Sequence, residues 1–408
     1  MNTRSVLMIA SGVLVTLVTV ALARLSFGLI LPPMRQSLNL SYEQAGHLGT
    51  ATALGYLCLV MVAGALAARY GGRLAILLGL VCVILGFAGL SMASEYKQLL
   101  ALMTLLGIGT AFAYTPLISL IGTWFPARRG LVIGLLNSGV GTGMMSAGWI
   151  VPYLAQLDVD HGWRWVWMLF AGVAIGALLA SLAFVRDPPR PARSPRALTT
   201  AERRSARMAV FRNPYVVIVG IIYGIVGMTY IVQAIFMFSF ALDAGVDATT
   251  AGRIASLMGF LGIVCGPVWG TVSDRLGRGR SLVLAMGLAF VSTAIPVLSP
   301  TLAGFSAHYV ILGVCVTGMF TSALAASTER VSPHEAPLAV SYVTVFFAAG
   351  QLLGPAAAGW LIGWTGGFRI TFGLSAVFIL IGVVLSWRLT RALRPPERAS
   401  ATEPRPCS

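Results

Sequence analysis

Gly270-Thr271-Val272-Ser273-Asp274-Arg275-Leu276-Gly277-Arg278 closes one apolar stretch of the chain, and Gly64-Ala65-Leu66-Ala67-Ala68-Arg69-Tyr70-Gly71-Gly72-Arg73 closes another. Gly270 follows Gly64 by 206 residues, as Arg275 follows Arg69 and Gly277 follows Gly71, an offset of about half the 408-residue chain. Two copies of one short basic turn at that interval indicate a duplicated fold. The leading glycine lets one helix backbone approach another, and the arginines after it stay in water at a membrane surface. Gly64, Arg69, Gly71 and Arg73, with Gly270, Asp274, Arg275, Gly277 and Arg278, are therefore expected to form paired hinges. Asp274 is expected to pair with Arg275 or Arg278, or to face the positive N-terminal end of a helix. The first copy carries Ala68 at that position, which argues against a charge latch there.

Composition places these turns at the edge of a bilayer. With 57% hydrophobic and 10% charged residues and a mean hydropathy of +0.85, the chain lacks the charge to cover a water-facing surface. Twelve apolar runs are each long enough to cross about 30 Å of hydrocarbon as a helix. They lie near 6–33, 44–68, 73–93, 98–122, 130–155, 164–186, 215–241, 251–272, 281–299, 303–327, 337–362 and 368–391. The division is an N-terminal six-helix bundle (1–186), a basic linker (187–213), a C-terminal six-helix bundle (214–393) and a tail (394–408). The expected fold class is an all-α integral membrane protein of two pseudo-twofold-related bundles. Arg4 and the apolar run with Ala21-Leu22-Ala23 imitate a cleaved leader, but removing it would break the duplication, so the run is kept as the first span.

The net charge of +15 would suggest nucleic acid in a soluble chain, but its placement points to topology instead. Of 28 basic residues, 22 fall at the N-terminus, in the even-numbered loops and in the tail, against five in the odd loops (Arg35, Lys97, Arg164, Arg253 and Arg369). That bias puts both termini and the linker in the cytoplasm. The linker arginines fit either a tether to anionic lipid or a solvated retention signal. Cys58, Cys82, Cys265 and Cys315 lie within apolar runs and Cys407 in the tail, with no disulfide framework or metal-ligand spacing.

The turn pattern is that of the loops between helices 2 and 3, and 8 and 9, of the major facilitator superfamily, which the whole chain resembles. Trp124-Phe125-Pro126-Ala127-Arg128-Arg129-Gly130, leading into Asn137-Ser138-Gly139, resembles the loop between helices 4 and 5 in its monocarboxylate and oxalate/formate branch. Arg128 and Arg129 join the expected gate on that basis. Phe347-Ala348-Ala349-Gly350-Gln351-Leu352-Leu353-Gly354-Pro355 is similar to a segment of bacterial members without an assigned substrate. The resemblance implies a secondary transporter in a bacterial cytoplasmic membrane, a monomer needing no cofactor, working by rocking its halves around a central site. One departure bears on cargo. That branch places a basic residue within helix 8 to bind its anion, and the oxalate transporters place another in helix 11. Here Arg253 is confined to the first turn of helix 8, and helix 11 has no Lys or Arg.

The charge map supplies its own candidate. All 13 acidic residues fall in loops or at helix ends, whereas Arg24 lies about two-thirds along the first run. An intramembrane guanidinium costs about 2.5–3.5 kcal/mol on insertion scales, so it should face protein or a water-filled cavity. An anionic cargo, such as a carboxylate held bidentately, would satisfy it. The alternative is a structural arginine that snorkels or binds backbone carbonyls. The duplication sets Tyr230 opposite Arg24, and repeat transporters bind at that interface. Phe27, Tyr114, Asn137, Tyr223, Gln233, Phe346 and Gln351 lie at comparable depth as cavity-lining candidates, each of which also fits plain helix packing. With no buried carboxylate, coupling falls to a proton carried with the cargo or to a counter-anion; His47 and His308 are placed near the outer ends. Export of an amphipathic drug or metabolite, and a sensor that binds without moving cargo, stay open. A membrane enzyme has no Ser/His/Asp set, His cluster or paired carboxylates to rest on.

Overall fold

The computed structural model describes residues 3–158, 160–188, 208, 210–332 and 335–392. Twelve helices long and apolar enough to cross a membrane account for the described chain. The first span, α1, is a stack of three pieces: an α-helix over Thr3–Thr16, a π-helical stretch over Leu17–Leu25 and an α-helix over Phe27–Ser37. Five further spans complete the first half: α2 (Tyr42–Tyr70), α3 (Gly72–Met92), α4 (Tyr96–Trp124), α5 (Arg129–Leu157) and α6 (Gly162–Phe184). The second half contains α7 (Pro214–Asp243), α8 (Ala248–Leu276), α9 (Arg278–Leu298), α10 (Leu302–Ser327), α11 (Ala336–Thr365) and α12 (Arg369–Ala392). Most of the linker, the tail, and the side chains of Arg129 and Asp274 lie outside the described residues.

Packing repeats between the halves. The pairs α2–α4, α3–α4, α3–α6 and α1–α5 have their counterparts in α8–α10, α9–α10, α9–α12 and α7–α11. The halves meet through α2 against α11 and α5 against α8, themselves a symmetric pair of contacts. Small residues allow both. A Cβ built on Gly46 would lie 2.3 Å from the Pro355 carbonyl oxygen, and one on Gly252 would lie 2.2 Å from that of Gly148. Gly359 against Tyr42, and Gly141 against Gly259, extend the two seams. The Gly46, Gly252 and Gly359 contacts sit in the half of the molecule away from the hinge loops, and Gly141 meets Gly259 near mid-depth.

At the hinge end the spacing differs. A Cβ at Gly64, Gly130, Gly134, Gly262 or Gly270 meets nothing within 4 Å. The close approach expected at Gly64 and Gly270 is therefore absent: the tight seams are at the other end, and these two glycines face open space. Gly71 and Gly277, 206 residues apart, instead share one unusual backbone conformation, with φ of +106° and +81°. Only glycine adopts that region without strain, which explains its presence at both hinges.

The hinges are tied into their own halves. The Asp187 carboxylate accepts from the Arg73 backbone N–H at 2.9 Å and lies against Gly71, while the Arg73 guanidinium donates to the Leu182 carbonyl at 2.7 Å. An acid absent at Ala68 is thus supplied from the exit of α6, as an acceptor for the Arg73 backbone N–H. Arg278 donates to the Ala325 carbonyl (3.0 Å) and the Thr328 hydroxyl (3.3 Å) at the end of α10. The expected Asp274 pairing falls on a side chain outside the described residues.

Candidate functional site

Arg24 sits on the π-helical part of α1. The Thr19 carbonyl accepts the Thr110 hydroxyl of α4 at 2.8 Å, and the Ser26 N–H reaches back five residues to the Ala21 carbonyl at 2.8 Å. A side chain feeding into a helix ladder in this way loosens the turn, and such π-type widenings recur at functional sites. The Arg24 guanidinium is aimed inward: Nη2 donates to Gln351 Oε1 on α11 at 2.8 Å, and its central carbon stands 5.0 Å from the centre of the Tyr56 ring on α2. The phenols of Tyr56, Tyr114 and Tyr230 are its near neighbours. Among the described residues it has no acidic partner; His161 Nδ1 lies 3.5 Å from an Asp158 carboxylate oxygen in the distant α5–α6 loop.

Around the guanidinium, each half contributes one wall. From the first half, the Tyr56 hydroxyl pairs with that of Thr115 at 3.2 Å, and the Tyr114 hydroxyl donates to Asn137 Oδ1 at 3.2 Å. From the second half comes an aromatic cluster. Tyr223 stacks on Phe347 with ring centres 4.6 Å apart, and Phe320 stands edge-on to Tyr230 at 5.3 Å and to Phe347 at 5.6 Å. Tyr223 in turn lies near Tyr56 and Tyr114 across the interface. The result is one permanent cation between a hydroxyl-bearing wall and an aromatic wall.

Of the sequence candidates, Arg24, Gln351, Tyr114, Asn137, Tyr223 and Tyr230 converge here. Phe27 and Phe346 serve packing. Phe27 is fully buried on α1, and Phe346 lies over Gly220 and Gly224 of α7 with its ring edge-on to Tyr342 at 5.3 Å. Gln233 is buried on α7 with its Oε1 unpartnered. Three contributors escaped sequence reasoning, namely Tyr56, Phe320 and Phe347. Tyr56 lies midway along its span and was recoverable from depth; the two phenylalanines look like any lipid-facing ring until the helices are assembled. His308, placed near the outer end of its helix, is fully buried there, its Nδ1 donating to the Ser292 carbonyl at 2.9 Å while the Ser292 hydroxyl donates to the His308 carbonyl at 2.9 Å. It locks α9 to α10. His47 Nδ1 lies 3.2 Å from the Tyr96 hydroxyl.

Twelve spans in two matching bundles around a half-buried central cation define a membrane transporter. The Major Facilitator Superfamily model matches residues 13–295 and 219–407, and the chain belongs to that family. It is 27% identical to human monocarboxylate transporter 11 over 385 residues, covering 90% of this chain and 79% of that one. To the oxalate:formate antiporter of Oxalobacter formigenes it is 24% identical over 235 residues, 58% of this chain and 54% of that one. In fold it matches a bacterial homologue of the human lysosomal transporter Spinster in an inward-facing, unoccupied conformation (TM-score 0.79, 18% identity, 96% of this chain and 98% of that one). The nucleoside transporter NupG, as its D323A mutant, follows with a TM-score of 0.77 at 13% identity, covering 95% and 100%.

Proposed function

We propose that this transporter carries a small organic anion, gripped at its carboxylate by Arg24, through rocker-switch alternating access. The observation that carries the reading is the half-buried guanidinium held between the two halves, with no carboxylate beside it among the described residues. A buried guanidinium without a counter-ion is costly, and a bidentate carboxylate would relieve it with two charge-assisted hydrogen bonds. Relatives named for monocarboxylates and for oxalate and formate support the same class of cargo. The aromatic wall of Tyr223, Tyr230, Phe320 and Phe347 suits a cargo with an apolar body.

The arginine bias favours a bacterial cytoplasmic membrane with both termini inside. In that orientation the tight α2–α11 and α5–α8 seams close the outer end and the separated hinges open the inner one, so the structure corresponds to an inward-open state. Charge balance is met either by a proton entering with the acid or by exchange against a second anion. The test is uptake of radiolabelled pyruvate, benzoate and phenylacetate by reconstituted protein. Arg24→Ala and Arg24→Lys should fold and lose transport; a wild-type rate in Arg24→Ala would refute the reading. The aromatic wall also favours a second reading, export of amphipathic metabolites, which would show as drug sensitivity in a deletion strain.

A further inference from the structure

Arg24 belongs to α1 and Gln351 to α11, so their 2.8 Å hydrogen bond joins the two halves at the level of the site. It is the one hydrogen bond that Arg24 makes among the described residues, its other close neighbour being the Tyr56 ring face. Gln351 is itself buried, at 7% exposure, and offers a neutral carbonyl oxygen, half of what a carboxylate offers.

Resting on the assignment of Arg24 as the anion site, we propose that Gln351 stands in for the cargo: its amide oxygen occupies the guanidinium in the empty carrier and is displaced when a carboxylate arrives. The exchange is downhill, because a neutral acceptor gives way to a charged, two-toothed one. The stand-in has a purpose. To return empty, a carrier passes through an occluded state without cargo or bulk water, in which an unsatisfied guanidinium would raise the barrier. Gln351 supplies the missing acceptor and holds the halves in register. Gln351 is thus a positioning residue for the return step rather than part of the grip on the cargo.

The experiment separates two modes of flux in proteoliposomes, using whichever of radiolabelled pyruvate, benzoate or phenylacetate the wild type carries best. Exchange, with cargo on both sides, never needs the empty return; net flux into cargo-free vesicles does. Gln351→Leu should lower net flux about tenfold or more relative to exchange, compared with wild type, and half-saturate at lower concentration, since no internal competitor remains. Gln351→Glu should act in the opposite sense on affinity: its fixed carboxylate holds Arg24 and raises half-saturation about tenfold or more. Equal loss of both modes in Gln351→Leu, no loss of either, or a wild type that exchanges without net flux would overturn the stand-in while leaving the anion site intact. Retained exchange in Arg24→Ala would remove the anion site itself.

Discussion

Gly252→Ala drives a methyl group from α8 into the backbone of α5. The new carbon would lie 2.2 Å from the Gly148 carbonyl oxygen and 2.5 Å from Pro152 Cγ, where ordinary contacts begin at 3.4 Å. A shortfall of about 1 Å against helix backbone has no flexible side chain to absorb it, and overpacking of this kind costs about 1–3 kcal/mol. If the seam parts when the transporter rocks, the penalty falls on this conformation alone. The equilibrium then moves about 5- to 150-fold toward the alternative state. Gly46→Ala at the second seam, 2.3 Å from the Pro355 oxygen, should add a similar and independent increment. The assay is a spin-label distance between Tyr70 and Leu276, both exposed beside the hinges, on a background lacking Cys58, Cys82, Cys265, Cys315 and Cys407. The short-distance population should grow in Gly252→Ala and grow further in the double variant. Gly64→Ala, whose methyl meets open space, should leave the hinge-open population at least as large as in wild type. An unchanged distribution in a folded double variant would refute the idea that these seams open in the cycle.

Three further outcomes are expected. Gly71→Ala should lower the melting temperature more than Gly277→Ala, because both lose the glycine-only φ but only the first also collides with the Asp187 carboxylate, 2.3 Å away; equal shifts would contradict this. Asp187→Ala removes the acceptor at the start of α3 and should cost about 0.5–2 kcal/mol in denaturant unfolding, the range for a lost helix cap. Asp247, held below the usual carboxylate range by the Thr249 hydroxyl and the Thr250 N–H, caps α8 as its anion. Its folded value is depressed, so its contribution is fully present above about pH 4 and fades as pH drops through the lower folded value. Melting temperature between pH 5 and 2.5 should therefore fall less steeply in Asp247→Ala than in wild type.

The spans were legible because hydrocarbon thickness fixes the length of an apolar run, and the duplication because a basic turn with an obligate glycine recurs at one offset. Gly71 and Gly277 carry that repeat into the backbone as matching positive φ. Arg24 and Gln351 each stood out in sequence, one as a charge at depth and the other as a polar residue in an apolar helix. Their pairing did not, since it depends on how α1 and α11 rotate about their axes across 327 positions of chain. The π-helical stretch around Arg24 was equally hidden, because it accompanies a contact with the Thr110 hydroxyl of another helix. Gly64 and Gly270 were assigned to a close approach that this conformation does not contain: a sequence is shared by every state of a moving protein, and a structure is one of them. Asp187 escaped because capping from a distant segment leaves no local pattern.

The most direct measurement is calorimetric titration of the purified protein with the best-carried carboxylate, in wild type and in folded Arg24→Ala. Two charge-assisted hydrogen bonds lost together correspond to a weakening of about 100-fold or more. Binding of that carboxylate with unchanged affinity in the absence of the guanidinium would contradict the central role of Arg24.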